Sequence, residues 1–260
     1  KAIGSLSEMP SMNRLLPLLV CLYLGLTAPV QAETFKVGVE LQPYEPYFSV
    51  QQGQYLGYGR DLLDAFAVHQ GHTFIYQPLP VRRLLSDFLA GKVDFKFPDN
   101  PRWNADLKQG YTLHFSQAAA PAVDGLMVKP QFVGQGKERI RRLGTQRGFT
   151  PWPYLPDIKA GRIILIQANQ IDSLLAMALS DRVDAVYLNP QVVSHRLMAS
   201  GAGSQALVFD PSLAYQDDHY FLSSIQHPDV IAEFDRFLSQ EAELVAALKK
   251  RHGIADPLSH

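Results

Sequence analysis

The chain has one cysteine, Cys21, inside an apolar run near its start, and everything from Glu33 onward is free of thiols. That part holds no disulfide and no reactive cysteine. It also lacks an excess of either charge: 24 Lys and Arg stand against 25 Asp and Glu, for a net charge of −1. Nucleic-acid binding needs a basic face, so this balance argues against it. Long apolar runs are scarce. Leu15 to Thr27 is the longest and is short for a membrane span. Phosphate-loop, His-Glu-x-x-His and Gly-x-Ser-x-Gly patterns are absent as well, and Gly57-x-Gly59 and Gly134-x-Gly136 have no dinucleotide-binding context.

What is present begins with an export signal. Met12 suits a start, Asn13 and Arg14 give a short positive region, and Leu15 to Thr27 forms the apolar stretch. Ala28-Pro29-Val30-Gln31-Ala32 then places small residues where a signal peptidase reads. Residues 1–32 are therefore expected to be upstream sequence (1–11) and a cleaved signal peptide, with export to a bacterial periplasm. Val20 precedes Cys21 where a lipoprotein signal needs small residues, so no lipid anchor is expected. The roughly 230 residues that remain suit one large domain or two small lobes.

An internal repeat favours two lobes. Leu84-Leu85-Ser86-Asp87-Phe88-Leu89-Ala90-Gly91-Lys92-Val93-Asp94-Phe95 runs parallel to Leu174-Leu175-Ala176-Met177-Ala178-Leu179-Ser180-Asp181-Arg182-Val183-Asp184-Ala185. Each copy reads as an amphipathic helix, a polar turn, a basic residue, Val-Asp and an apolar strand. Each stops at Asn-Pro: Asn100-Pro101 and Asn189-Pro190.

Around the repeat, Phe35, Val37 and Val39 alternate as a first strand ending near Glu40, and Asp61 is expected to open a helix that Gly71 ends. Thr73 to Gln77 is a second strand. The resulting β-α-β-α-β order builds a parallel sheet covered by helices. Tyr111–Ser116 and Val123–Val128 read as extended, the latter crossing into another lobe. A strand at Arg142–Thr145, a loop at Gly148–Trp152 leading into a helix, a buried strand at Ile163–Ile166 and the second repeat follow. The segment Asp217–Leu222 crosses back, and apolar residues from Val230 to Leu248 make the last helices. The expected fold is α/β: two similar lobes with mixed, mainly parallel sheets joined by a two-segment hinge. Lobe 1 takes 33–122 and 217–260, and lobe 2 takes 123–216.

This order resembles the periplasmic solute-binding proteins that serve polar amino acid ABC transporters. The resemblance rests on Gly57-Tyr58-Gly59-Arg60-Asp61-Leu62-Leu63, Ala90-Gly91-Lys92-Val93-Asp94, Phe115-Ser116 and Lys249-Lys250-Arg251-His252-Gly253. It implies a monomeric receptor without a cofactor. Its partners would be a small, carboxylate-bearing solute and an inner-membrane permease. Two alternatives share the scaffold: a dehydratase acting on cyclic carboxylates, and a sensor for a membrane signalling protein.

In open α/β sheets, ligands sit beyond the carboxyl ends of the strands, which selects particular loops. Glu40 ends the first strand, and Tyr44 and Tyr47 follow in a proline-stiffened loop, either facing a ligand or capping the lobe's own core; Phe48 fits the core. Arg82 and Arg83 open the repeat helix, and only one of them can face the cleft; the resemblance favours Arg82. Beyond Asn100, Arg102 stands where the family's Thr-x-x-Arg step grips the ligand carboxylate, with Asp99 replacing Thr. A planar guanidinium suits that task, and the plain alternative is a surface Arg102–Asp99 pair. In the second lobe the backbone of Gly148, Phe149 and Thr150 precedes an expected helix, where free N–H groups receive an anion. Asn189 stands where amino-acid binders often carry an acid for the α-ammonium group. It serves there or as a turn residue before Pro190.

Overall fold

The computed structural model describes residues 33–255; the signal-peptide reading and Cys21 concern residues outside that range. The first half runs β1 (Thr34–Glu40), the hairpin β2 (Ser49–Gln51) and β3 (Gln54–Leu56), α1 (Tyr58–Gln70), β4 (Thr73–Leu79), α2 (Val81–Leu89), β5 (Phe95–Asp99), β6 (His114–Phe115) and β7 (Ala120–Pro121). It continues with β8 (Gly125–Val128), β9 (Arg142–Gln146), α3 (Leu155–Lys159), β10 (Ile164–Ala168), α4 (Ile171–Leu179), β11 (Ala185–Leu188), α5 (Pro190–Ala199) and β12 (Val208–Phe209). The chain then returns through β13 (His219–Ser224) to α6 (Pro228–Gln240) and α7 (Ala242–Arg251).

Two main sheets result, in orders β4-β1-β5-β13-β6 and β10-β9-β11-β8-β12. In each, a central strand lies between two parallel neighbours, and the fourth strand is antiparallel and arrives from the other lobe. The fold is thus two mixed, mainly parallel sheets flanked by helices and joined by a hinge, as the alternation of elements implied.

The repeat is structural as well as textual. A Cβ on Gly38 of β1 would collide with Leu84 and press on Val93, and a Cβ on Gly144 of β9 would meet Leu174, Val186 and Val183. Matched leucines and valines of the two copies thus pack onto matched glycines, which allow helix and strand to approach closely. The Asp after each valine ties down the start of the central strand. Asp94 accepts from the Lys36 backbone N–H at 2.7 Å, and Asp184 accepts from those of Arg141 and Arg142 at 2.9 and 2.8 Å. One turn geometry joins helix to strand in both, with Gly91 and Asp181 in left-handed conformation. Counting on from Gly38 and Gly144 makes Glu40 and Gln146 equivalent ends of the two central strands.

Three local expectations need correction. The first helix opens at Tyr58 rather than Asp61, because carbonyls of the preceding loop satisfy its first N–H groups: Tyr58 donates to Pro46 and Gly59 to Tyr47. Of Tyr111–Ser116 only His114 and Phe115 are strand; Tyr111 closes a turn on the Lys108 carbonyl. The helix after Thr150 shrinks to a 3-10 turn at Trp152–Tyr154 and the five residues of α3, since Pro153 and Pro156 have no N–H to give.

Beneath the first sheet's carboxyl edge lies a charged network. Asp99, 1% exposed, accepts from Lys96 and Lys108, each at 2.9 Å, and from the Ser223 hydroxyl at 2.7 Å. Burial alone would raise the Asp99 carboxyl's pKa, but the two ammonium groups and the hydroxyl outweigh it and hold it below the usual range. Asp99→Ala would strand two buried ammonium groups and should lower unfolding free energy by about 3–5 kcal/mol in denaturant titrations. Gly38→Ala and Gly144→Ala should each cost about 1–3 kcal/mol by overpacking. Unchanged denaturation midpoints would show that the helices do not press on those strands.

Candidate ligand-binding cleft

The carboxyl ends of the two sheets face each other. From the first come Glu40 and the loop that follows it. That loop is held as a tight turn in which Tyr44 and Phe48 exchange backbone hydrogen bonds at 2.9 and 3.2 Å, and it rests on Gly57, where a Cβ would meet the Tyr47 carbonyl. The Gly57-Tyr58-Gly59 motif therefore serves to seat the aromatic loop on the start of α1. Tyr44, Tyr47 and Phe48 are all buried. Tyr44 stacks on Phe48 at 5.4 Å and, across the seam, on Phe149 at 5.9 Å. Capping the core and facing the other lobe are thus one job for Tyr44.

The lobes touch directly. Tyr47 Oη lies 3.5 Å from both Asn189 Nδ2 and Gln191 Oε1, and Tyr47 packs edge-on against Tyr220 at 5.0 Å. At the rim Arg196 donates to the Glu45 carboxylate at 2.7 Å and to the Pro43 carbonyl at 3.2 Å, and Gln191 donates to the Ala255 carbonyl at 2.8 Å.

The remaining candidates divide. Asn189 and Asn100 are both fully buried and play matching parts: Asn189 Oδ1 caps α5 by accepting from the N–H groups of Gln191 and Val192, and Asn100 Oδ1 accepts from that of Arg102. Asn100 Nδ2 goes to Asp218 Oδ1 at 2.6 Å and to the His219 carbonyl at 2.9 Å. Arg102 departs from expectation. Its side chain is 63% exposed and commits its guanidinium to Asp218, at 2.7 Å, and to the Asp217 carbonyl. The surface pair with Asp99 does not form either, since Asp99 is turned inward to the lysines. Arg82 is exposed at the head of α2, beside Arg83, which pairs with Asp87.

Gly148 and Thr150 are exposed; of the trio's N–H groups that of Phe149 is engaged, by the Gln146 carbonyl at 3.0 Å, and the Thr150 carbonyl accepts from Trp152 N–H at 2.9 Å. With α3 so short, no long helix stands behind them to add its dipole to those N–H groups. Of that trio only Phe149 joins the seam, through its ring.

Other residues occupy the place instead. Asp124 lies in the crossing segment, where its backbone pairs with Gln216. Its Oδ1 is sealed from solvent and has no hydrogen-bond partner, and the same holds for Gln146 Oε1 and Tyr187 Oη. Burial and the nearby Asp218 push the Asp124 carboxyl up to about 7. Its charge also adds to what burial does to the phenols of Tyr44, Tyr47, Tyr187 and Tyr220, all raised above their ordinary value. Burial likewise raises Glu40, against the pull of Lys96 and a 2.6 Å hydrogen bond from Gln42. Trp103 completes the wall, 5.8 Å from Tyr220 and 5.7 Å from Lys96 Nζ. Gln146 was legible as the second-lobe counterpart of Glu40, and Asp124 as the lone acid in the apolar run Ala118–Val128.

No protein-family model and no curated protein sequence matches the chain. Solved structures do. Substrate-binding domain 2 of Lactococcus lactis GlnP in its open conformation gives a TM-score of 0.63 at 13% identity, covering 87% of this chain and 97% of that one. An ancestral arginine-binding protein bound to arginine gives 0.63 at 16%, over 84% and 97%. A histidine kinase sensor domain similar to periplasmic binding proteins gives 0.63 at 18%, over 84% and 95%. At such identities the likeness is one of fold: this chain has a type II periplasmic-binding-protein-like fold, related to that of ABC-transporter solute-binding domains.

Proposed function

We propose that this protein is an exported solute receptor that closes its lobes on one small polar molecule and delivers it to a membrane ABC importer. One observation carries the reading. Polar atoms of Asp124 in the crossing segment and of Gln146 at the carboxyl end of β9 are sealed from water without partners, as is the Tyr187 hydroxyl in the second lobe's core. Buried polar groups are normally paired, and exceptions call for an explanation. A solute gripped from both sides supplies the missing partners and favours closure by its differential affinity for the closed state. The proposal is of a binder: Glu40 and Asp124 serve as contacts rather than as an acid and base. The periplasm and the permease partner belong to this proposal, by analogy with the transporter domains that share the fold. A sensor reading is favoured only by the likeness to a kinase sensor domain. Permease and ATPase genes beside this one would decide for import, and a kinase gene for sensing.

Titration calorimetry with a panel of amines, amino acids, organic acids and sugars should find a solute bound one to one. At a hundredfold excess over Kd it should add about 2.7 kcal/mol of stability. Turnover in place of capture, or a panel that leaves the melting point unmoved, overturns the reading.

An unpaired buried acid is a cost the free protein tolerates for its site. The Asp124 carboxyl holds its proton more tightly folded, near 7, than unfolded, about 3.9. The associated stability is present below the unfolded value and is lost as pH rises toward 7. Asp124→Asn should therefore stabilise the ligand-free protein, more at pH 8 than at pH 4, in chemical denaturation. An equal shift at both pH values would show that Asp124 carries no such penalty.

A further inference from the structure

The receptor reading leaves the chemistry of the solute open, and the distribution of charge around the cleft narrows it. Four basic side chains near the seam, Lys96, Lys108, Arg102 and Arg196, are already committed to acceptors of the protein. Lys96 gives its protons to the Pro98 carbonyl at 2.7 Å and to Asp99. Lys108 gives to Asp99 and to the Asn100 carbonyl. Arg102 holds Asp218 and Arg196 holds Glu45, while Arg147, at the surface, donates to the Asn169 amide oxygen. An incoming anion would have to compete with Asp99, Asp218 and Glu45 for Lys96, Lys108, Arg102 and Arg196.

The acceptors tell the opposite story. Asp124 Oδ1 and Gln146 Oε1 are buried with nothing to accept from. Glu40, 6% exposed, receives a side-chain hydrogen bond from Gln42 at one oxygen, Oε2. These groups come from the hinge and from the equivalent ends of the two central strands. Around them stand the rings of Tyr44, Tyr47 and Tyr220, whose faces carry negative potential. An added carboxylate would bring further negative charge beside two acids whose own ionisation burial already disfavours. A positive N–H donor would meet acceptors and aromatic faces together, the arrangement that holds ammonium and guanidinium groups.

Resting on the receptor reading, we infer that the captured solute is an organic cation, an amine or guanidinium. Its N–H groups bond to Asp124 and Gln146, Glu40 shares its charge, and no carboxylate is required of it. The acid that an α-ammonium group would meet at position 189 is replaced by an amide whose oxygen already caps α5. The cation is instead recognised from the hinge side.

The test uses the exported chain and six probes in calorimetry: agmatine, putrescine, arginine, glutamate, succinate and glucose. Agmatine or putrescine should bind, at least as tightly as arginine, and glutamate and succinate should not. Asp124→Asn should weaken amine binding by about tenfold or more while melting no lower than the wild type, so that lost binding is not lost folding. Gln146→Leu should weaken it as well. Arg102→Ala should leave amine affinity essentially unchanged. Binding of glutamate, succinate or glucose without the amines would sink the cation inference and leave the receptor reading standing. Binding of arginine alone, lost in Arg102→Ala, would do the same. If none of the six binds, the cation inference falls, and the wider panel decides the receptor reading separately.

Discussion

Everything at the cleft depends on two crossing segments that pair with each other. Ala119 donates to the Tyr220 carbonyl, Ala122 to that of Asp218, and Asp124 and Gln216 exchange hydrogen bonds at 3.0 and 2.8 Å. Each segment then runs on into the other lobe's sheet as its antiparallel fourth strand, β8 in one direction and β13 in the other. Backbone hydrogen bonds of this kind leave rotation about the paired strands as the soft motion, and they set the distance between the facing sheet ends. They also place Asp124 in the crossing segment itself, between the two lobes.

The charges around that axis are sorted by function. Two buried lysines at the first sheet's edge share the one carboxylate of Asp99, and the exposed Arg102 pairs with Asp218, also reached by Asn100 and by the His219 N–H. These are stability arrangements, since a buried charge is tolerated only when paired and hydrogen-bonded. Asp124 has no counter-charge of its own: the charged neighbour that shifts it is another acid. A fold selected only for stability would replace such a group. Its retention fits a site where complementarity arrives with the ligand.

The aromatic loop shows how local sequence and packing divide that labour. Prolines 43 and 46 limit its conformations, the Gly57–Gly59 step lets it lie against the start of α1, and its carbonyls complete the helix. The loop is therefore rigid before any solute arrives, which reduces the ordering cost of binding. Its tyrosines are not free to swing out singly, because Tyr44 is stacked between Phe48 and Phe149.

The architecture was readable in the sequence because it rests on local, periodic signals. Apolar spacing gave the helices, alternation gave the strands, and the repeated Val-Asp turn gave the relation between the lobes. Its leucine and valine pack on Gly38 and Gly144, and its Asp ties the neighbouring strand. The site was legible only in part. Glu40, Tyr44 and Tyr47 could be picked from their place after a strand, and Phe149 reached the seam by its ring rather than by the backbone expected of it. Whether Arg102 points to a ligand or to Asp218, whether Asn189 caps a helix or greets a solute, and whether Thr150 precedes a real helix are settled by contacts between residues far apart in the chain. Asp124 stands out in the sequence only as a lone acid in an apolar run; it becomes a candidate when folding seals its oxygen among tyrosines from the other lobe. Sequence determined the two lobes and the strand ends that face each other, since those follow from hydrogen-bond and burial periodicity along the chain. Tertiary structure alone decided which charges are spent on each other and which stay unpaired, since electrostatic pairing depends on distance in space.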